Sequence, residues 1–277
     1  MPATKHTMTQ ELPYWDFVSY VEGEPVDKQR LLAGTYASST NAGHSPSQDW
    51  DLNCGWLGAL GLSTYGWPEG RESLDEVRVA QRSMLERGGA SYEWDVTGMA
   101  PDIAAFLTGD PEHFINWSDD EPRPAVRIGY TGCYHAGTEA EEAVNMGGAV
   151  LTLVEALEAA GYAVELTSGF RTIAEPYLTE LNVVLKRSDE YVDLDRVAFA
   201  LVHPAFFRRL YFRYLELLPA DYQDALGGGY GRPAKIEEED FDVLIPPVSQ
   251  IRSGTPARAL ETVLAAAGDL IEVDEDA

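Results

Sequence analysis

Apolar residues recur along the chain in two patterns. Short β-rich runs bounded by glycine, proline or charge predict strands: "AVRIGYTG" from Ala125, "YAVELTSGF" from Tyr162, "LNVVLKR" from Leu181 and "FDVLIPPV" from Phe241. Helical periodicity fills the intervals. From Gly148 to Ala160, Val150, Leu153, Val154 and Leu157 recur at i, i+3, i+4 and i+7, Glu155 and Glu158 fall off that stripe, and Gly161 supplies a left-handed stop. "LDRVAFALVHPAFFRRLYFRYLELLP" is a longer apolar helical region kinked at Pro204, and "TPARALETVLAAAG" is a last helix with Thr255 as N-cap, Pro256 at its first position and Gly268 at its end. Strands alternating with helices predict an α/β fold: a three-layer, mostly parallel sheet with helices on both faces.

The first part of the chain has a different character. All six tryptophans (Trp15, Trp50, Trp56, Trp67, Trp94 and Trp117) fall in the first 117 residues, and the last of them opens "WSDDEPRPAV", a stretch of acids and prolines that suits an exposed connection. A boundary near residue 122 follows, separating an aromatic-rich helical and loop extension (1–122) from an α/β domain (123–277). Within the extension, "RESLDEVRVAQRSMLERGG" is helical, Leu57 to Leu62 forms a short apolar helix, Pro68-Glu69-Gly70 forms a turn, and Pro101 to Leu107 forms another helix. Its tryptophans are mostly core, with a docking surface as the alternative.

Composition narrows the function classes. The chain has 277 residues, 45% of them hydrophobic, which is enough for a full core. A formal net charge of -26 and a pI near 4.4 oppose nucleic-acid binding over a broad face and adsorption to anionic membranes. No apolar run approaches the roughly 20 residues that span a bilayer, and "MPATKHTMTQELPYWDF" lacks the apolar core of a signal peptide, so a cytoplasmic location is expected. Cys54 and Cys133 show neither disulfide nor zinc spacing, and both read as reduced thiols.

Four places could carry chemistry. Gly147-Gly148 opens a helix between two strands, but some thirteen residues separate it from the end of the first strand and Glu139, Glu141 and Glu142 stand nearby, so no phosphate loop is expected. Asn145 or Gly147 is instead the helix entry, with the glycines packing closely on the sheet. His203 with Arg208, Arg209 and Arg213 is the best anion-binding cluster, weighed against pairing of Arg213 with Glu216 one turn on. Cys133 and His135 lie at the carboxyl end of the first strand, where open α/β sheets place ligands, without a third orienting group. The "EEED" run at Glu237 to Asp240 reads as a solvated charge run; no metal set and no cofactor are indicated.

The strand, long loop, helix and second strand ending at Gly169-Phe170 resemble the opening of a von Willebrand factor A-type domain, a Rossmann-like sheet, over about Ala125 to Ile271. The corresponding stretch Tyr130, Thr131, Gly132, Cys133, Tyr134 lacks the carboxylate and both hydroxyl positions of that family's Asp-x-Ser-x-Ser metal motif, so the resemblance implies a scaffold without its metal site. The series "GWPEG", "GMAPDIAAFLTGDPEHF", "NMGGAVLTLVEALEAAGYAVEL" and "VDLDRVAFALVHPAFFRRLYF" is similar to an uncharacterised family of tailed bacteriophages and other mobile elements. The combination implies a non-enzymatic, intracellular interaction protein of a phage or mobile element that binds a protein partner through strand-end loops in the bacterial host cell. The alternatives are an enzyme acting on a small anionic or nucleotide ligand, and an acidic decoy or virion-associated protein.

Overall fold

The computed structural model describes residues 6–23, 51–85, 93–95, 100–101, 114–116, 124–133, 138, 140–226, 232–236, 240–247 and 255–270. Its elements are β1 (His6–Pro13), α1 (Tyr14–Gly23), α2 (Gly55–Tyr65), α3 (Pro68–Leu85), β2 (Glu93–Asp95), β3 (Ala100–Pro101), β4 (Phe114–Asn116), β5 (Ala125–Thr131), α4 (Ala140–Ala159), β6 (Ala163–Ala174), β7 (Tyr177–Lys186), α5 (Leu194–Val202), a π-helical segment (Phe206–Tyr211), α6 (Phe212–Leu217), α7 (Ala220–Leu226), β8 (Arg232–Ala234), β9 (Val243–Ile245) and α8 (Pro256–Ala267).

The main sheet runs β1-β7-β6-β5-β9, with β8 pairing beside β6. Three of its neighbouring pairs, β1 with β7, β5 with β6 and β5 with β9, are parallel, so the fold is α/β with a mostly parallel sheet. The β6–β7 pair is antiparallel, because two residues between Ala174 and Tyr177 are too few for a crossover. β1 joins the sheet from the far end of the chain, and Tyr14, Phe17, Val18 and Val21 of α1 enter the same buried apolar cluster as β5 and α4. The sheet and its core therefore cross the boundary expected near residue 122.

Helices on both faces are not what the described residues form. One face of the sheet is apolar and aromatic: Phe170 stacks on Phe207 and Tyr211, Tyr214 donates to Gln10 of β1, and Tyr177 meets Tyr222 of α7. α4, α5 and α8 join that layer, and α3 stacks outside it against α4 and α5. The opposite face carries Thr131, Thr167, Asn182 and the ion-paired Arg171 and Glu180, and here Ile236 lies over Gly169 and Phe241 over Gly129. Polar positions at period two on this side disfavour burial under an amphipathic helix, and Ile236 and Phe241 are the described side chains that lie over it.

Local signals and local structure agree at several ends. Gly161 sits at φ +90 after α4; Pro256 starts α8 behind an extended Thr255, which makes no side-chain cap bond. α5 stops at Val202 because the residue before Pro204 is driven out of helical geometry, and His203 is extended at φ -74, ψ 123. Other expectations fail. Pro68-Glu69-Gly70 is the first turn of α3 rather than a free turn, since proline suits the first helical position. Pro101 pairs with Phe114 as part of a strand, and residues 102–107 lie outside the described residues. α4 begins at Ala140, placing Asn145 and Gly147 inside the helix; Glu141 and Glu142 in its first turn complement the helix dipole.

Candidate functional site

The residues expected to form an anion pocket are buried and already engaged. Arg209 donates through Nε at 2.8 Å and Nη2 at 2.5 Å to Oδ2 of Asp51, with both side chains fully buried. Arg213 lies 3.8 Å from Glu216, as its spacing suggested, and donates to the Val21 carbonyl. Arg208 is also buried. A cation enclosed with a carboxylate is not an open anion receptor.

Asp51 was not singled out by sequence, yet it organises the neighbourhood. Its carboxylate also accepts from the Gly55 N–H at 3.1 Å, while its carbonyl accepts from the Cys54 N–H at 3.1 Å. These bonds hold a left-handed turn at Leu52 (φ 53), Asn53 (φ 56) and Gly55 (φ 67). Leucine there costs about 1–3 kcal/mol, so the surrounding contacts must over-determine the turn. The turn delivers α2, whose entry was signalled in the sequence by an aspartate just ahead of glycine and an apolar run.

α2, "GWLGALGLSTY", has no charged residue on any side, a composition that ordinarily means burial all round. Only Ala59 and Ser63 are fully buried. Leu57 is 80% exposed and Tyr65 84% exposed. Beside the helix is an open groove of about 410 Å³ lined by Leu52, Cys54, Gly58, Leu62, Tyr65 and His203. His203 thus serves the groove rather than an arginine cluster.

Two titratable groups of the groove, His203 and Cys54, are held neutral. Burial pulls the His203 imidazole down to about 4, only partly opposed by the Asp51 carboxylate. Its Nδ1 accepts from the Ala205 N–H at 3.1 Å, which assigns the ring proton to Nε2, and Trp67 packs edge-on against the ring at 4.6 Å. Burial pushes the Cys54 thiol up to about 11, reinforced by Asp51 and offset in part by Arg209. A neutral thiol and a neutral imidazole supply hydrogen-bonding and apolar surface; neither is poised as a nucleophile or general base at pH 7.

The end of β5 offers no activated group among the described residues. Cys133 is fully enclosed, its thiol donates toward the carbonyls of Arg171 and Ala234, and burial raises it to about 11. His135, His44, His113 and Glu237 to Glu239 lie outside the described residues. Gly147 and Gly148 are buried inside α4. Gly147 faces helices rather than the sheet: a Cβ there would stand 2.6 Å from Val202 and 3.3 Å from Leu74. Close helix packing, not phosphate, explains that glycine. Among the described residues, no group of three or more His, Cys, Asp or Glu side chains could hold a metal ion, and no helix is long and apolar enough to cross a membrane.

The family described as Domain of unknown function (DUF7192) matches residues 7–268, and the chain belongs to it. No curated protein and no solved structure matches the chain.

Proposed function

We propose that this member of a family without an assigned activity is a protein-binding module and that α2, with the groove beside it, is its docking surface. One observation carries the proposal: a charge-free helix presents Leu57 and Tyr65 to solvent next to a groove built by a strained but well-anchored turn. Burying a leucine or an aromatic ring in a partner is worth roughly 1.5–3 kcal/mol, so two such anchors are the scale of an interface hot spot. α2 takes the role first assigned to the strand-end loops, because Cys133, at the start of that loop, is sealed inside the fold.

The order β5, α4, β6, β7 supports a von Willebrand A-like scaffold without the metal motif. The resemblance of the sequence segments quoted above to phage and mobile-element proteins is the ground for proposing work inside a bacterial host cell. An acidic decoy needs charge alone; exposed apolar anchors favour a shaped contact over that alternative. Against an enzyme acting on an anion stand the enclosure of Arg209 with Asp51 and the raised thiols of Cys54 and Cys133.

The test is affinity capture from the native host at several salt concentrations, run in parallel with the full chain and with Leu57→Glu and Tyr65→Glu variants shown by circular dichroism to be folded. A stoichiometric protein captured by the parent and lost by both variants is expected. Equal capture by the variants would remove α2 from the interaction, and absence of any stoichiometric partner would remove the interaction itself.

A further inference from the structure

Resting on the reading of α2 as a docking surface, we infer that its occupant is a basic amphipathic helix: apolar residues on α2 and its groove, lysines or arginines over α3. Leu57 and Tyr65 are exposed two turns apart on one line of α2, about 12 Å along the helix at 1.5 Å per residue, with the half-buried backbone of Gly61 between them. That length suits about two turns of a helix, and Gly58 and Gly61 keep the groove side of α2 low. The chain then turns at Gly66 and enters α3, where Glu69, Glu72 and Glu76 are all exposed and share one face at i, i+3 and i+7.

None of these three carboxylates has an ion-pair partner among the described residues. The neighbouring cations are committed elsewhere: Arg71 to Asp195, and Arg78 to Asp75 and Glu155. An apolar stripe therefore leads into an unbalanced acidic one, on a chain whose net charge is -26. Charge complementarity selects a cationic partner and opposes a second copy of this chain, which would bring like charge to like. Groove chemistry adds a detail. The neutral His203 offers its Nε2–H at the groove wall, so a partner side chain seated there gains from an acceptor atom at its tip.

The probe is a fluorescein-labelled 18-residue peptide of leucine and lysine with leucine at helical i, i+3, i+4 spacing, titrated into the full chain by anisotropy. Two controls accompany it: the same peptide with glutamate for lysine, and a leucine–lysine peptide of identical composition in scrambled order. The helical leucine–lysine peptide is expected to bind at least about tenfold tighter than either control, with affinity falling as salt rises. The triple variant Glu69→Gln, Glu72→Gln, Glu76→Gln is expected to weaken it about tenfold and flatten the salt dependence. Leu57→Glu is expected to abolish binding of the same probe.

Equal binding of the scrambled peptide would show charge adsorption without a helical contact and overturn the inference. Equal binding of the glutamate peptide would overturn the partner's charge while leaving α2 as the docking surface. Unchanged binding to Leu57→Glu would overturn the location. A dimer in sedimentation velocity that Leu57→Glu dissociates would replace the basic helix by a second copy.

Discussion

Replacing Asp51 by alanine tests how α2 is held against the π-helical segment. The mutation removes two guanidinium bonds and the Gly55 N–H bond from one carboxylate oxygen and takes the Asp51 charge away from the fully buried Arg209. Breaking such a pair typically costs about 3–5 kcal/mol, because the remaining ion has lost water and keeps less opposite charge to offset that loss. The two halves of the pair are not equivalent. Arginine cannot shed its proton, whereas a stranded carboxylate can take one up, so Arg209→Met should cost about 1–2 kcal/mol less than Asp51→Ala. The double variant should fall short of the summed costs by at least about 2 kcal/mol. Urea unfolding followed by far-ultraviolet circular dichroism measures global stability, and tryptophan fluorescence reports locally, since Trp56 and Trp67 flank the site. A cost below about 1 kcal/mol for Asp51→Ala, or additive single costs, would refute the claim that a buried charge pair holds these elements together.

Two further outcomes follow from packing and burial. His203 is held near 4 in the fold against 6.5 in the unfolded chain, so the unfolded chain alone takes up this proton as pH falls from 6.5 to 4. Stability should drop through that window by about 3 kcal/mol in total, and His203→Asn should flatten the slope measured from urea midpoints; an unchanged slope in the variant would point to other groups. Gly147→Ala should lower the melting temperature despite alanine's helix preference of about 1 kcal/mol, because a Cβ 2.6 Å from Val202 forces overpacking worth about 1–3 kcal/mol. A raised melting temperature would mean that α4 and α5 have room to part.

Much of the architecture follows from local rules. β5, β6, β7 and β9 lie where β-rich runs meet breakers, and the stripe Val150, Leu153, Val154, Leu157 is buried in α4, although positions 145–154 are buried on every side. The break at His203-Pro204 needs only the steric clash between a proline ring and the preceding residue. β1 was illegible. "HTMTQELP" alternates weakly, and its strand identity comes from pairing with β7, more than 160 residues away. The helix entry at Asn145 or Gly147 failed for a related reason: glycine weakens a helix locally, but contact with Val202 and Leu74 outweighs that preference.

By itself, the sequence determined the segments of β5, β6, β7, β9 and α8, the stops at Gly161 and Pro204, the absence of phosphate-loop spacing and the acidic field, since each depends on residues within a few positions or on a simple sum of charge. Only the tertiary structure decided that Arg209 is enclosed with Asp51 rather than open to anions, that the described helices lie on one sheet face, and that α2 leaves Leu57 and Tyr65 in solvent. Those outcomes turn on distant partners: Asp51 and Arg209 are 158 residues apart, and Gln10 and Tyr214 are 204. Burial and pairing belong to the folded arrangement, and composition along the chain holds no record of which surfaces meet.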